Sequence, residues 1–353
     1  MRKILFMIVI AGIMASCNKP EIIIEEETFG NGAYIVCEGN FSSSNGDISY
    51  FNTETQEITN DIFWLQNEEV SLGDIVQSIS FAGDYAFIAV NNSKKLEIVN
   101  AETFKHVAVI ENISYPRNII KVNDKKSYLT NGSYPGEIIV INNETFAIDK
   151  QIPLGNSPEN LIVANNKVYV ANGAWGSDNT ISVINPETDI VEQTVTAADG
   201  ATDLISDFEG NIWVLCGGKV VYDQNWNVVS ETDSKIIKLN KLSLEKTDSL
   251  TIGTTGDFFN PTHISVDNTG KYIFFIESDG IYKSDISTST FSATKIIDGT
   301  FYSLEINPAN NNIFVFSDNG FTQAGTLNIY NIEGSLIKGN ISTGIGPNGA
   351  VFK

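Results

Sequence analysis

Asn100-Ala101-Glu102-Thr103, Asn142-Asn143-Glu144-Thr145 and Asn185-Pro186-Glu187-Thr188 are three copies of one signal, and Asn52-Thr53-Glu54-Thr55 is a fourth. Each closes a short β-branched run and opens a tight turn, the position where an Asn side chain bonds its own backbone two residues on. Weaker copies begin at Asn240, Ser284 and Asn331, so seven units follow one another at spacings of 48, 42, 43, 55, 44 and 47 residues. Periods of this length with several short strands each belong to propeller blades.

A second marker runs in phase with the first. Pro116-Arg117-Asn118-Ile119, Pro158-Glu159-Asn160-Leu161, Pro261-Thr262-His263-Ile264 and Pro347-Asn348-Gly349-Ala350 each open an apolar strand. Within a unit the alternation is of strand type, as in Lys167-Val168-Tyr169-Val170-Ala171-Asn172 and Thr180-Ile181-Ser182-Val183-Ile184, and no helical period reaches three turns. The surplus of the long fifth unit falls at residues 217–235 and reads as a long loop. The first unit starts at Tyr34 without a Pro-led strand, while residues 347–353 are such a strand with nothing after it. The reading is therefore all-β: a seven-bladed β-propeller over residues 31–353, closed by the C-terminal strand completing the first blade and leaving no open sheet edge.

The composition agrees and excludes other classes. Of 353 residues, 42% are hydrophobic, enough for a core, and the formal charge is −21. Nucleic-acid binding, which needs a basic surface, is excluded. Arg2 and Lys3 precede an apolar stretch at 4–15, too short to span a bilayer. It ends in Met14-Ala15-Ser16-Cys17, which resembles a bacterial lipoprotein signal: residues 1–17 form the signal peptide, Cys17 is acylated, and 18–30 are a tether. Glu21 and the acidic run at 25–27 resemble export signals to the outer face of Gram-negative cells, so the expected place is the outer membrane, at the cell surface. Removing the signal takes the charge to −23, so the lipid anchor would be the protein's only hold on the membrane.

The Cys17 signal, the in-phase repeats and the Tyr169-Val170-Ala171-Asn172 plus Ile181-Ser182-Val183-Ile184-Asn185 pattern resemble the bacterial YncE-like propellers. More narrowly, they resemble surface lipoproteins of that group that bind corrinoids such as cobalamin beside a TonB-dependent outer-membrane transporter. The resemblance implies a non-enzymatic protein that captures a corrinoid and delivers it to the transporter. The alternatives are a glycan-binding accessory lipoprotein of a polysaccharide uptake system and, third, a lactonase-like enzyme with a channel metal held by Glu, Asn and Asp.

The residues offer little catalytic or metal chemistry. The two histidines, His106 and His263, fall in different strand types, and no zinc, redox or hydrolase motif occurs. The Asp-Asn pairs at 178–179, 267–268 and 318–319 read as turns rather than calcium loops. No metal and no cofactor is expected, the corrinoid being a ligand. Cys37 and Cys216 end equivalent strands of the first and fifth units, too far apart to pair, and read as buried fillers.

Repeat alignment places Gln77, Asn118, Asn160, Asp203, His263, Leu304 and Gly349 beside the channel, with only one acid among them. His263 is weighed as an axial cobalt ligand and read first as a hydrogen-bonded channel residue. The loops between second and third strands, with those preceding each innermost strand, share one face. The candidate ligand-binding set there is Tyr115, Asn118, Asn131, Tyr134, Asn160, Asn172, Trp175, Asp203, Trp226, Phe258, Phe259, Tyr302 and Phe321. Aromatics around a ring mouth, with amides between them, suit a flat and partly apolar ligand. The opposite face, turned at the Asn-x-x-Thr corners, is read as free of such rings.

Overall fold

The computed structural model describes residues 27–253, 263–288 and 291–353, and these build a ring of seven four-stranded antiparallel sheets. Cys17 and most of residues 18–30 lie outside the described residues. Phe29 does not belong to a tether: it is buried between Tyr50 and Phe104, and its amide donates to the Glu102 carbonyl at 2.7 Å. An apolar ring in water is costly, and the groove between the first two blades accepts it. The chain thus enters the disc at Phe29, on the face of the corner turns.

The corner turns explain the repeat. Oδ1 of Asn100 accepts from the amides of Glu102 and Thr103 at 3.0 and 2.9 Å, and Oδ1 of Asn142 from Glu144 and Thr145 at 3.0 Å each. Asn52 and Asn240 make the same pair of bonds. In the sixth blade the turn residue is Asp285, not Ser284. Asp285 accepts from the Ser287 amide at 2.9 Å, while Ser284 is a buried strand residue whose hydroxyl donates to the Ser292 carbonyl. Four residues after the Asn, the backbone turns left-handed at Phe104 (φ 57°), Phe146 (59°) and Leu244 (56°). Each of these amides donates to the carbonyl of its own Asn at 2.9 Å. A side chain pays about 1–2 kcal/mol for that conformation. Here the strain aims an apolar group between two blades: Phe104 is fully buried and stacks on Tyr34 with ring centroids 5.6 Å apart.

The core is correspondingly divided into seven clusters, one per seam between neighbouring blades. The seam between last and first blades packs Phe314, Phe316 and Leu327 against Ala33, Ile35 and Phe51. Closure follows the expected route, with Pro347–Phe352 pairing antiparallel to Ala33–Cys37 as the innermost strand of the first blade. Gly32 and Lys353 extend the ladder by exchanging both backbone bonds at 3.0 Å. Cys37 and Cys216 form no disulfide and are buried in two different seams; burial pushes both thiols up to about 12.

Two elements depart from the reading. Residues 217–235 are not a plain loop, because Lys219–Tyr222 and Val228–Thr232 pair as a projecting β-hairpin. Their Val-Val runs favour strand, and Asp223 turns the tip by accepting from the Asn225 and Asn227 amides at 2.8 and 2.9 Å. The outermost strand of the first blade is only Ile58–Thr59, followed by a five-residue helix, Ile62–Gln66. That helix starts on a neighbouring carboxylate, Asp47, which accepts from the Phe63 and Trp64 amides at 3.0 and 3.1 Å.

Candidate functional site

A cavity of about 930 Å³ occupies the centre of the ring and opens on the face of the long loops. Each of the seven innermost strands, or the residue just before it, contributes to the wall. The floor and sides carry Gln77, Asn118, Asn160, Asp203, His263 and Gly349, as expected, with Phe41, Trp175, Phe301 and Tyr302 towards the mouth. Leu304 is not among them: it is fully buried in the seam with Phe274 and Val315, and its neighbour Glu305 faces the cavity instead. The sixth-to-seventh alignment was one residue out of register, which exchanges the two faces of a strand.

The more consequential difference is that adjacent residues line the wall together, Arg117 with Asn118 and Glu159 with Asn160. Strict alternation would send one of each pair outward. The innermost strands begin with a β-bulge instead, between Pro116 and Ile119, Pro158 and Leu161, Ala201 and Asp203, and Val76 and Ser78. An extra residue in one strand re-aims a side chain, and bulges gather at such rims. The bulges bring Arg117 and Glu159 to the wall, the register brings Glu305, and Glu38 arrives from the loop after Ala33–Cys37, so the wall holds four carboxyl groups where one was read.

These groups form two hydrogen-bonded chains. Arg117 donates from Nε and Nη2 to Glu159 Oε2 at 2.9 and 2.7 Å, and from Nη1 to Gln77 Oε1 at 2.7 Å. Asn348 donates to the Gln77 carbonyl at 3.2 Å and to Glu38 Oε1 at 2.9 Å, and the Tyr302 hydroxyl donates to Glu38 Oε2 at 3.1 Å. On the other side, Asp203 accepts from Asn160 Nδ2 and from the amides of Leu204 and Ile264 at 2.7 and 2.9 Å.

Burial dominates the electrostatics. It pushes Asp203 up to about 6 against the pull of those three donors. It pushes Glu305 up to about 8, helped by the nearby Asp203 charge, and raises Glu38 as well. It lowers His263 to about 4, so this imidazole is neutral at ordinary pH. Asn118 presents its side-chain amide to the cavity, its backbone amide being held by Thr130 Oγ1 at 2.9 Å.

The remaining candidates divide by position. Trp175 and Phe41 stand 75% and 74% exposed at the mouth, and Tyr302 packs edge-on against Phe321 with centroids 5.0 Å apart. Tyr115 and Tyr134 are exposed on the same face but outside the cavity wall. Asn131 and Asn172 are buried pins of their own loops. Asn131 bonds the Tyr115 amide and Glu137, and Asn172 donates to Thr180 and Ser182. Trp226 sits at the hairpin tip, 82% exposed and beside Tyr222, away from the wall. The hairpin base does reach the mouth: Gly176, next to Trp175, packs so close that a Cβ there would lie 2.7 Å from Lys219 Cβ. Phe258 and Phe259 lie outside the described residues, as does Pro261. His106 is paired with Glu97 on an outer strand, far from the channel. The opposite face carries an exposed ring after all, Phe208, lying under the Lys271 ammonium at 5.8 Å.

Among the described residues no group of three His, Cys, Asp or Glu is arranged to hold a metal. Nor, among them, is any helix long and apolar enough to cross a membrane. The paired Asp residues act as turn formers, Asp178 holding the Asn156 amide and Asp267 those of Lys271 and Tyr272.

Solved structures repeat this architecture at low identity. A quinonprotein alcohol dehydrogenase-like protein from Bacteroides thetaiotaomicron superposes with a TM-score of 0.65 at 14% identity, over 92% of this chain and 79% of that one. A functionally unknown protein from Desulfotomaculum acetoxidans gives 0.64 at 16%, over 92% and 99%. The hydrazine synthase of Kuenenia stuttgartiensis gives 0.62 at 13%, over 90% and 98%. At such identities the likeness carries the fold alone. No curated protein sequence matches the chain. A family model does match, over residues 31–342, nearly the whole propeller, and on that match the chain belongs to the family described as a domain of unknown function, DUF5074.

Proposed function

We propose that this protein is a lipid-anchored, non-enzymatic capture protein of the cell surface that takes a corrinoid into the mouth of its ring and delivers it to an outer-membrane transporter. The observation that carries the reading is the cavity of about 930 Å³ whose mouth exposes Phe41 and Trp175 while amides line the wall below. A corrin has an apolar plane for the rings and rim amides for Asn118 and Gln77, the arrangement expected of a small-molecule site. The Cys17 signal and the sequence resemblance support the anchored, transporter-coupled half of the proposal. A glycan is the second reading, favoured by Trp175, whose exposed ring offers a face for a sugar to stack on.

Titration calorimetry with cyanocobalamin and with a panel of oligosaccharides decides between them. Heat of binding with cyanocobalamin alone is the expected result; binding of a sugar alone replaces the reading by the second. Trp175→Ala is expected to weaken corrinoid binding by about 1–3 kcal/mol, the range of a hot-spot aromatic. Trp226→Ala, outside the wall, is expected to change it less.

A further inference from the structure

The ionisable groups of the cavity are strongly one-sided. Glu38, Glu159, Asp203 and Glu305 come from four different blades, and Arg117 is the one guanidinium among them. Arg2 and Arg117 are the only arginines of the sequence. Glu159 takes two of Arg117's donors, and although the Arg117 charge also favours ionised Glu38, burial still raises that carboxyl. His263 adds no positive charge, being buried and neutral. Of the remaining acids, Asp203, held near 6, is ionised at neutral pH, and Glu305, near 8, adds its charge as the pH rises, so the field of the wall is negative and deepens with pH. Two further features have the same sign. The rings at the mouth, Phe41, Trp175 and Tyr302, are aromatic groups of the kind that attract cations. The chain as a whole carries −21, which raises the local concentration of cations at a concave opening.

We infer that the cavity selects a ligand bearing a positive charge, such as a quaternary ammonium group or a cationic metal complex, and discriminates against neutral and anionic analogues of the same shape. The inference rests on the binding reading above and adds the charge of the ligand to it. For a corrinoid it means that the aquo form, with its cationic centre, binds more tightly than the neutral cyano form. A bound cation favours the ionised carboxyls. Binding must therefore release protons where Asp203 and Glu305 titrate, and affinity must rise with pH across that interval. The charge acting on Glu305 is that of Asp203, the charge acting on Asp203 is that of Glu159, and Glu38 and Arg117 line the same cavity.

The test uses a matched pair that does not depend on the corrinoid reading: phenyltrimethylammonium and its uncharged isostere tert-butylbenzene, titrated into the folded protein by NMR. The expected result is an affinity for the cation at least about tenfold higher than for the isostere, rising from about pH 6 to about pH 9 while the isostere stays flat. Glu305→Gln and Asp203→Asn should reduce the cation's advantage, with the isostere's affinity reporting that the cavity is intact. Equal affinities, or no cation binding at about 10 mM, overturn the inference. Aquocobalamin against cyanocobalamin is the second arm. If the ammonium ion binds selectively and neither corrinoid binds, the charge selection stands and the corrinoid reading falls.

Discussion

Phe104 offers a test of how the corner turns work, because two costs oppose each other at one residue. Its ring is fully buried between Phe29 and Tyr34, so Phe104→Ala should cost about 3–5 kcal/mol, the usual range for an emptied aromatic site. Phe104→Gly empties the same space. It also removes the left-handed strain at φ 57°, about 1 kcal/mol that Ala retains. Glycine should therefore be the less damaging replacement by about 1 kcal/mol, the reverse of the order in a regular strand, where it is worse by about 0.5–1 kcal/mol. Leu129, equally buried but in the middle of the strand Lys126–Asn131, is the control and should keep the ordinary order. Urea unfolding followed by tryptophan fluorescence gives the four free energies. If Phe104→Gly proved as destabilised as Phe104→Ala or more, the claim that the corner stores backbone strain for the sake of the seam would be refuted.

Deleting residues 347–353 should abolish a single cooperative melt, since the first blade loses its innermost strand and the seam its Ala350 contact; an unchanged melting temperature would contradict closure by that strand. Glu305 takes up a proton on folding, its carboxyl moving from 4.5 to about 8, so the stability it allows is full below about pH 4 and declines as pH rises towards 8. Glu305→Gln should lose less stability than the parent between about pH 6 and pH 8 in circular-dichroism melts, and equal slopes would count against the buried acid. Cys17→Ala is expected to abolish labelled-palmitate incorporation, and unchanged acylation would remove the anchor from the proposal.

The fold could be read because its signal is periodic and chemical. An Asn that bonds its own backbone must sit at the start of the corner, and residues 52, 100, 142, 185, 240 and 331 kept it. The reading slipped at Ser284, where Asp285 does the same work one residue later. The hairpin at 217–235 is legible in its two valine pairs, although repeat spacing alone marks the excess only as a loop. The site was harder. Alternation along a strand can assign one residue of Arg117-Asn118 to the channel, never both, and the bulge that admits both leaves no mark in composition. With no proline to fix the register before Ser303, Leu304 and Glu305 were exchanged, although the apolar side chain belongs in the seam on energetic grounds alone. The aromatic mouth was foreseen as a face, but which rings overlook the cavity depended on loop geometry that no periodicity encodes.

Phe29 has a bearing on traffic. The described chain begins beside the Glu102 corner, on the side of the disc away from Trp175 and Phe41, because the first strand, Ala33–Cys37, runs from the corner side towards the mouth. Under the proposed anchoring at Cys17, a leash attached there would present the disc like a bowl on a stalk, with its opening turned outward. A ligand arriving from the medium meets the opening first. On that proposal, an acceptor standing in the same sheet of lipid would have to reach over the rim to collect it, or the bowl would have to tip.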